Sequence, residues 1–382
     1  MKLGSAARTE AARPLRAVYV HGRPAPHPNR LELLPVIGAE LLPVDFRIPW
    51  AHLERPPFFR KLLSLLACAV SFPHRRRWDL IIGDGPQHLP VVMKALGLLR
   101  RNQKTLPYLA GEFPYFLATG HYGACRTRLL AAWFRRWDAY LCVGPMIADL
   151  VRQKLPPHRH TDVLTFPNFI RDSRAREMAT VDASLEGARI AFVGNGPGGF
   201  RVFYKGLDLL LESVARARGT RSNLTCAIVG EWDEATRTGL ADRFGVASVV
   251  HWLGSTPDLV PVLRETALYV HCGRGDAWPN TVMEAMAAGI PPLVSEWTGG
   301  REVVAQIEPR LVAPLEAEAF AERILWYLGL DRTLRRELGA RARLLARTQL
   351  TQTAAQDAFR GTIRRALDRF GLPHLVLPGE SR

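Results

Sequence analysis

The sequence predicts an α/β protein made of two doubly wound halves, with parallel sheets that face each other across a cleft. Three observations carry this. Apolar runs of three to five residues each end at a turn signal and lead into a helical pattern, the mark of βα units and a parallel sheet. The pattern breaks once, over residues 171–187, and then restarts. The length of 382 residues predicts two or three domains at roughly 100–200 residues each.

Residues 1–15 carry charges with no apolar core behind them, so they read as a loose Ala/Arg tail and not a signal peptide. The first domain is expected over 16–175. Its strands are Ala17–Val20, ending at His21-Gly22-Arg23; Asp79–Ile82, ending at Gly83-Asp84-Gly85; Tyr108–Ala110, ending at Gly111-Glu112; Ala139–Val143, ending at Gly144-Pro145 before the helix-like MIADLVRQKL; and Val163–Phe166, ending at Pro167-Asn168. The polar stretch 171–187 lacks an apolar period and reads as an interdomain linker. The second domain, 176–350, takes Ile190–Val193, Cys226–Val229, Val249–Trp252, Leu268–His271 and Pro292–Ser295 as strands. Its helices include Gly206–Arg218, Asp258–Glu265, Thr281–Ala288, Ala317–Leu328 and Thr333–Arg347. Residues 351–382 form a last unit, with an amphipathic helix over Thr353–Phe370. Ligands of open α/β sheets bind beyond the carboxyl ends of the strands, so the cleft is the expected site.

Composition narrows the class. The chain is 47% hydrophobic and 23% charged, which excludes a disordered protein. Five scattered cysteines, odd in number and without a C-x-x-C pair, suggest reduced structural thiols and a cytosolic setting. The longest largely apolar stretch, Leu62–Phe72, has 11 residues and falls short of the ~20 needed to span a membrane. The net charge of +15 is lopsided: residues 1–180 hold 27 basic and 13 acidic groups, and residues 181–382 hold 24 and 23. The first half therefore faces something anionic: nucleic acid, a membrane surface or a phosphorylated substrate. Arginine outnumbers lysine 45 to 6, for which codon bias is the plainest reason.

Gly194-Asn195-Gly196-Pro197-Gly198-Gly199 matches G-x-G-x-x-G after a strand. Two features argue against dinucleotide binding. Gly199 leads into Phe-Arg-Val-Phe-Tyr, with a helical period expected only near Gly206. The acidic residue due about 20 positions on is missing, Glu231 lying 37 beyond Gly194. A flexible glycine loop is the better reading, and it leads to Lys205-Gly206 at a helix start. Backbone N–H groups and the helix dipole favour an anion there. Lys205 is the only lysine after Lys154, and a compact ammonium suits close approach to a phosphate; a solvated surface lysine is the alternative. Further on, Asp276 and Glu284 are separated by seven residues. Glu284 either closes a capping box with Thr281 or reaches the cleft to hold ribose hydroxyls.

The stretch GDAWPNTVMEAMAAGIPPLVSEWTGGREVV resembles the signature of the family 4 retaining glycosyltransferases. FVG–loop–YKGLDLLLESV resembles their diphosphate loop, and VGE at 229–231, HWLG at 251–254 and FPNFI at 166–170 resemble further landmarks. The likeness covers 139–350 well and 17–138 loosely. It implies the GT-B fold, two Rossmann-like domains facing a cleft, with the C-terminal helix crossing back to the first. Lys205 would then stabilise the leaving diphosphate of a nucleotide-sugar, Glu284 would hold the ribose, and Asp276 would contact the donor sugar. Trp278, Pro279, Asn280 and Thr281 would line the sugar and phosphate, and Gly230, Glu231 and Leu253 the rest of the donor, with Trp252-Leu253 near the base. Configuration would be retained, with no metal and no cofactor, and the chain has no D-x-D motif.

Three departures stand out. Asp276 replaces the usual glutamate. Asn195 replaces an arginine, which Arg201 could supply from a longer loop. The histidine expected after the Tyr108–Ala110 strand is absent, leaving Glu112 or His121, with Gly22, to face the acceptor. A surface-loop position is the alternative for Glu112 and for His121.

The basic first half has two apolar-cationic stretches, 57–78 and 126–137, the latter interleaving Arg126, Arg128, Arg135 and Arg136 with Trp133, Phe134 and Trp137. They read either as interfacial membrane-binding segments or as buried helices with solvated arginines. The expected partners are a nucleotide-sugar, a glycan or lipid-linked acceptor, and an anionic membrane on the cytoplasmic side. A catalytically inactive nucleotide-sugar-binding protein is the second reading. A nucleic-acid binder is the third, and it explains neither Lys205-Gly206 nor the Asp276–Glu284 pair.

Overall fold

The structure is a computed structural model, and it describes residues 11–22, 26–44, 65–66, 68–70, 72, 77–84, 88–196 and 199–380. The first sheet contains β2 (Ala17–His21), β3 (Ala39–Pro43), β4 (Leu80–Asp84), β5 (Lys104–Leu109), β6 (Tyr140–Val143) and β7 (Val163–Phe166); β1 (Arg13–Pro14) lies outside it. All six strands run parallel in the order β3-β2-β4-β5-β6-β7. The second sheet contains β8 (Arg189–Val193), β9 (Thr225–Val229), β10 (Val250–Trp252), β11 (Leu268–His271), β12 (Pro292–Ser295) and β13 (Val312–Ala313). It too is parallel, in the order β10-β9-β8-β11-β12-β13. The order in which successive strands are added reverses between β2 and β4 in one sheet and between β8 and β11 in the other. Those reversals open crevices at the strand ends, where ligands of such sheets bind.

The helices of the first half are α1 (Pro28–Leu33), α2 (Leu89–Ala95), α3 (Phe113–Thr119), α4 (Ala124–Phe134), α5 (Gly144–Arg152) and α6 (Asp172–Ala179). The second half adds α7 (Phe200–Lys205), α8 (Leu207–Arg218), α9 (Glu234–Phe244), α10 (Val260–Arg264), α11 (Asn280–Ala287), α12 (Arg301–Ile307), α13 (Ala317–Gly329), α14 (Arg332–Gln349) and α15 (Gln352–Arg369). The central strands read as continuous apolar runs because both faces are covered: β2, β6, β11 and β12 are buried throughout. Helix α15 lies on the first sheet. Phe359 is fully buried with its ring 5.0 Å from Phe166, and Thr362 Oγ1 donates to the Thr165 carbonyl at 3.1 Å. Gln352 Nε2 donates to Glu32 Oε2 at 2.9 Å on α1.

Three expectations are corrected, and one strand was not foreseen. The 171–187 linker contains helix α6, and Met178 and Val181 anchor it in the core. The 1–15 tail is not loose over its described part. Residues 13 and 14 pair with β14 (Leu375–Val376), and Arg13 grips the buried Asp79 through two hydrogen bonds of 2.7 and 2.8 Å. Gly199 does open a helix, the short α7, although its sequence shows no apolar period. Finally, β3 escapes detection because it is an edge strand with every residue partly or fully exposed.

Most of the 57–78 stretch lies outside the described residues. Within the described part, Ala69, Phe72 and Trp78 are buried against β2 and β4. In 126–137, Phe134 and Trp137 are core residues with 1% exposure each, so the aromatics face inward while Arg126, Arg128, Arg135 and Arg136 face solvent. Among the described residues no helix is long and apolar enough to cross a membrane, and no three His, Cys, Asp or Glu side chains group as a metal site.

Candidate active site

A cavity of about 560 Å³ opens between the two sheets at the carboxyl ends of their strands. The first-sheet wall presents His27, Arg30, Tyr108 and Glu112; the second-sheet wall presents Lys205, Asp276 and the start of α11. Asparagines tie the walls together. Asn29 Nδ2 donates to Asn168 Oδ1 at 2.9 Å, and Asn168 Nδ2 donates to the Trp278 carbonyl at 3.0 Å.

Lys205 ends α7, and Gly206 caps the start of α8 with φ of 72°. A Cβ on Gly206 would sit 1.9 Å from the Cys272 carbonyl oxygen, so glycine is required for the backbone to press against the end of β11. That contact carries Lys205 to Asp276, in the loop after β11, where Nζ meets Oδ2 at 2.7 Å. His271 Nε2 lies 3.3 Å from the same oxygen, without hydrogen-bond alignment. Burial works against ionisation of Asp276, but the Lys205 charge and the nearby His271 outweigh it and hold the carboxyl well below the usual range. The His271 pKa is lowered as well, chiefly by burial, which disfavours its charged form, while Asp276 pulls against that.

The capping-box reading of Glu284 fails. Helix α11 starts at Asn280 after Pro279 with no side-chain cap, and Thr281 Oγ1 instead accepts from the Tyr269 hydroxyl at 2.6 Å. The Glu284 carboxylate is held by Arg174 of α6: Nε donates to Oε1 at 2.9 Å and Nη2 to Oε2 at 3.4 Å. Arg174 lines the cleft and Glu284 does not. Arg174 was missed because it lies in the polar segment read as a linker. The available signal was its helical i,i+3 pairing with Glu177.

Of the other expected donor-side residues, Arg201, Gly230, Trp278, Pro279, Asn280 and Thr281 line the cleft. Arg201 Nε donates to the Asn195 carbonyl at 3.1 Å. Trp278 packs where Gly144 and Gly300 leave room for its indole. Glu231 and Leu253 do not line it. Glu231 accepts from the Ser255 amide at 3.3 Å beside a separate pocket, and Leu253 is 40% exposed. Glu231 follows β9, where the neighbouring Gly230 takes the cleft position; after β10, the sheet edge, Ser255, Thr256 and Leu259 reach the cleft instead of Leu253. On the first-sheet wall Glu112 lines the cleft. Gly22 and His121 do not; both are exposed, and His121 stacks on Phe116 and Phe203 at 4.4 and 5.5 Å. Sequence reasoning also missed His27, Asn29, Arg30 and Tyr108. Arg30 pairs with Asp84 at 3.2 Å.

Comparison with known proteins agrees with this architecture. Residues 199–345 match the family model for glycosyl transferases group 1. The fold resembles Anabaena Alr3699/HepE in complex with UDP and glucose (13% identity, TM-score 0.66, covering 93% of this chain and 100% of that one). It also resembles WaaG, a glycosyltransferase involved in lipopolysaccharide biosynthesis (16%, 0.62, 91% and 99%). A third likeness is to sucrose-phosphate synthase from Thermosynechococcus elongatus (16%, 0.67, 93% and 99%). No curated protein matches the sequence. The fold is GT-B, as the sequence motifs implied.

Proposed function

We propose that this chain, a GT-B protein whose residues 199–345 match the group 1 glycosyltransferases, is a retaining, metal-independent glycosyltransferase using a nucleotide-sugar donor. The observation that carries this is the Lys205–Asp276 pair, set at the topological switch point of the second sheet and inside the matched region. UDP and glucose in the HepE structure support a nucleotide-sugar as donor.

In the reaction the bond between the anomeric carbon and the donor diphosphate breaks. The acceptor oxygen bonds to that carbon from the same face, and its proton passes to a diphosphate oxygen. Negative charge builds on the leaving group, so a fixed cation beside it is the main catalytic aid. Lys205 supplies it, while ionised Asp276 aims the ammonium and accepts hydrogen bonds from donor-sugar hydroxyls. Glu112, on the opposite wall, orients the acceptor hydroxyl.

The acceptor is a glycan or lipid-linked saccharide, and the setting is cell-envelope polysaccharide or glycolipid assembly at the cytoplasmic membrane face. WaaG's role in lipopolysaccharide biosynthesis supports that setting, as does the basic first domain.

The test is turnover of a nucleotide-sugar panel in the presence of EDTA, with the product anomer read by NMR. Lys205→Ala should lower turnover about 10²–10³-fold, by analogy with removal of one oxyanion donor. An inverted product, loss of activity in EDTA, or a fully active Lys205→Ala variant would overturn the reading.

A further inference from the structure

We propose that a second pocket, outside the cleft, binds a phosphate group, either free or carried by a small hydroxylated molecule. The pocket lies between residues 182–186, which lead from α6 into β8, and helix α14, and it shares no lining residue with the cleft. Its volume is about 500 Å³, close to the 560 Å³ of the cleft. Nothing in this assignment depends on the reaction proposed above.

Small residues make the hollow. Ala288 and Gly289, just past the end of α11, line it together with Gly339 and Ala340 of α14. A Cβ on Gly339 would stand 2.5 Å from the Gly289 carbonyl oxygen, so the two backbones touch. Gly289 has a φ of 77°, and a Cβ there would meet Arg343 Nη2 at 2.9 Å. The floor is therefore fixed by backbone packing, and Gly289 leaves the space that the Arg343 guanidinium takes.

Arginines supply the charge. Arg336, Arg343 and Arg347 all line the pocket, and spacings of seven and four put them on one face of α14. Arg343 Nη2 donates to the Val181 carbonyl at 3.0 Å and to the Ala288 carbonyl at 2.7 Å. These bonds hold the guanidinium in place, and Nη1 has no partner among the described residues. Arg347, one turn further on, is exposed and makes no hydrogen bond or ion pair among the described residues. Of the two acids at the rim, Glu186 is held by Arg336 at 2.9 Å and also by Arg332. Arg343 and Arg347 are left without a carboxylate. Solvated arginines on an amphipathic helix would account for Arg347 alone, but not for an Arg343 pinned against a glycine.

Two guanidinium forks one turn apart suit an oxyanion with several acceptor oxygens. A phosphomonoester carries three such oxygens and a charge of about −1.5 to −2 at pH 7, enough to engage both arginines. Across the pocket from α14, Asp182 and Ser184 suit the hydroxyl groups of an attached body.

The experiment is calorimetric titration of the full chain with glycerol 3-phosphate, inorganic phosphate and glycerol. Glycerol 3-phosphate should bind at this site, one per chain, and glycerol should not. The cleft also offers a cation to phosphate, so the titration is repeated on Lys205→Ala, where binding at this site should be unchanged. Arg347→Gln should weaken it roughly ten- to a hundredfold, the range for hydrogen bonds to a charged group. Ala340→Trp, which fills the pocket and removes no charge, should abolish it. Thermal unfolding shows which variants fold; Arg347 is exposed, and its variant carries the test if Ala340→Trp does not fold. Equal affinity for the two phosphates identifies free phosphate as the ligand, and tighter binding of the ester identifies a phosphorylated hydroxy compound.

The absence of saturable binding by either phosphate overturns the proposal. So does binding that disappears in Lys205→Ala, which would place it in the cleft, or binding that folded Arg347→Gln or Ala340→Trp leaves unchanged.

Discussion

Gly206 shows how much of the site hangs on single residues. Its φ of 72° is in the left-handed region, and an added Cβ would stand 1.9 Å from the Cys272 carbonyl oxygen. Backbone strain and overpacking therefore act together. Gly206→Ala should destabilise the protein by about 2–4 kcal/mol in urea unfolding, and a variant as stable as wild type would contradict the close approach of α8 to β11. The same close approach explains why lysine precedes the glycine: Lys205 is delivered to Asp276 by backbone packing, not by a flexible reach. Each of the two residues stood out in the sequence, in a loop-helix context of its own, but their pairing did not. Arg174 did not stand out, because its partner Glu284 is 110 positions away and nothing local announces it.

At the scale of elements, legibility followed burial. Strands covered on both faces appear as apolar runs and were placed within a few residues, as with β7, β11 and β12. Elements with one or no buried face were missed: edge strand β3, helix α6 with Met178 as its buried residue, and the six-residue α7. After β9 and β10 the cleft is lined by Gly230, Ser255, Thr256 and Leu259 and not by Glu231 or Leu253, a difference of one to a few residues that the motif itself does not resolve. Helix α4 tests the proposed membrane role. Its Phe134 is buried and its Trp133 partly so, which leaves contact to Arg126 and Arg128, to Arg136 just past the helix and to the exposed Leu129. Vesicles containing anionic lipid should co-sediment the protein, less so at high salt, and replacing the three arginines by glutamate should abolish this. Binding that ignores lipid charge would remove the membrane from the proposal.

For the whole molecule, the +15 charge first suggests a polyanion partner for the entire chain. The surplus belongs to the first half, while the second half, nearly neutral, presents the lysine that matters most to the proposed chemistry. Three cations that line the cleft have carboxylate partners: Arg30 with Asp84, Arg174 with Glu284 and Lys205 with Asp276. An arriving diphosphate must therefore share Lys205 with Asp276, and this sharing is the core of the account. Titration of the wild type and Lys205→Ala with UDP, ADP and GDP tests it most directly. At least one diphosphate should bind the wild type, and Lys205→Ala should weaken that binding tenfold or more. Equal affinity in the two proteins would contradict Lys205 as the diphosphate's cation.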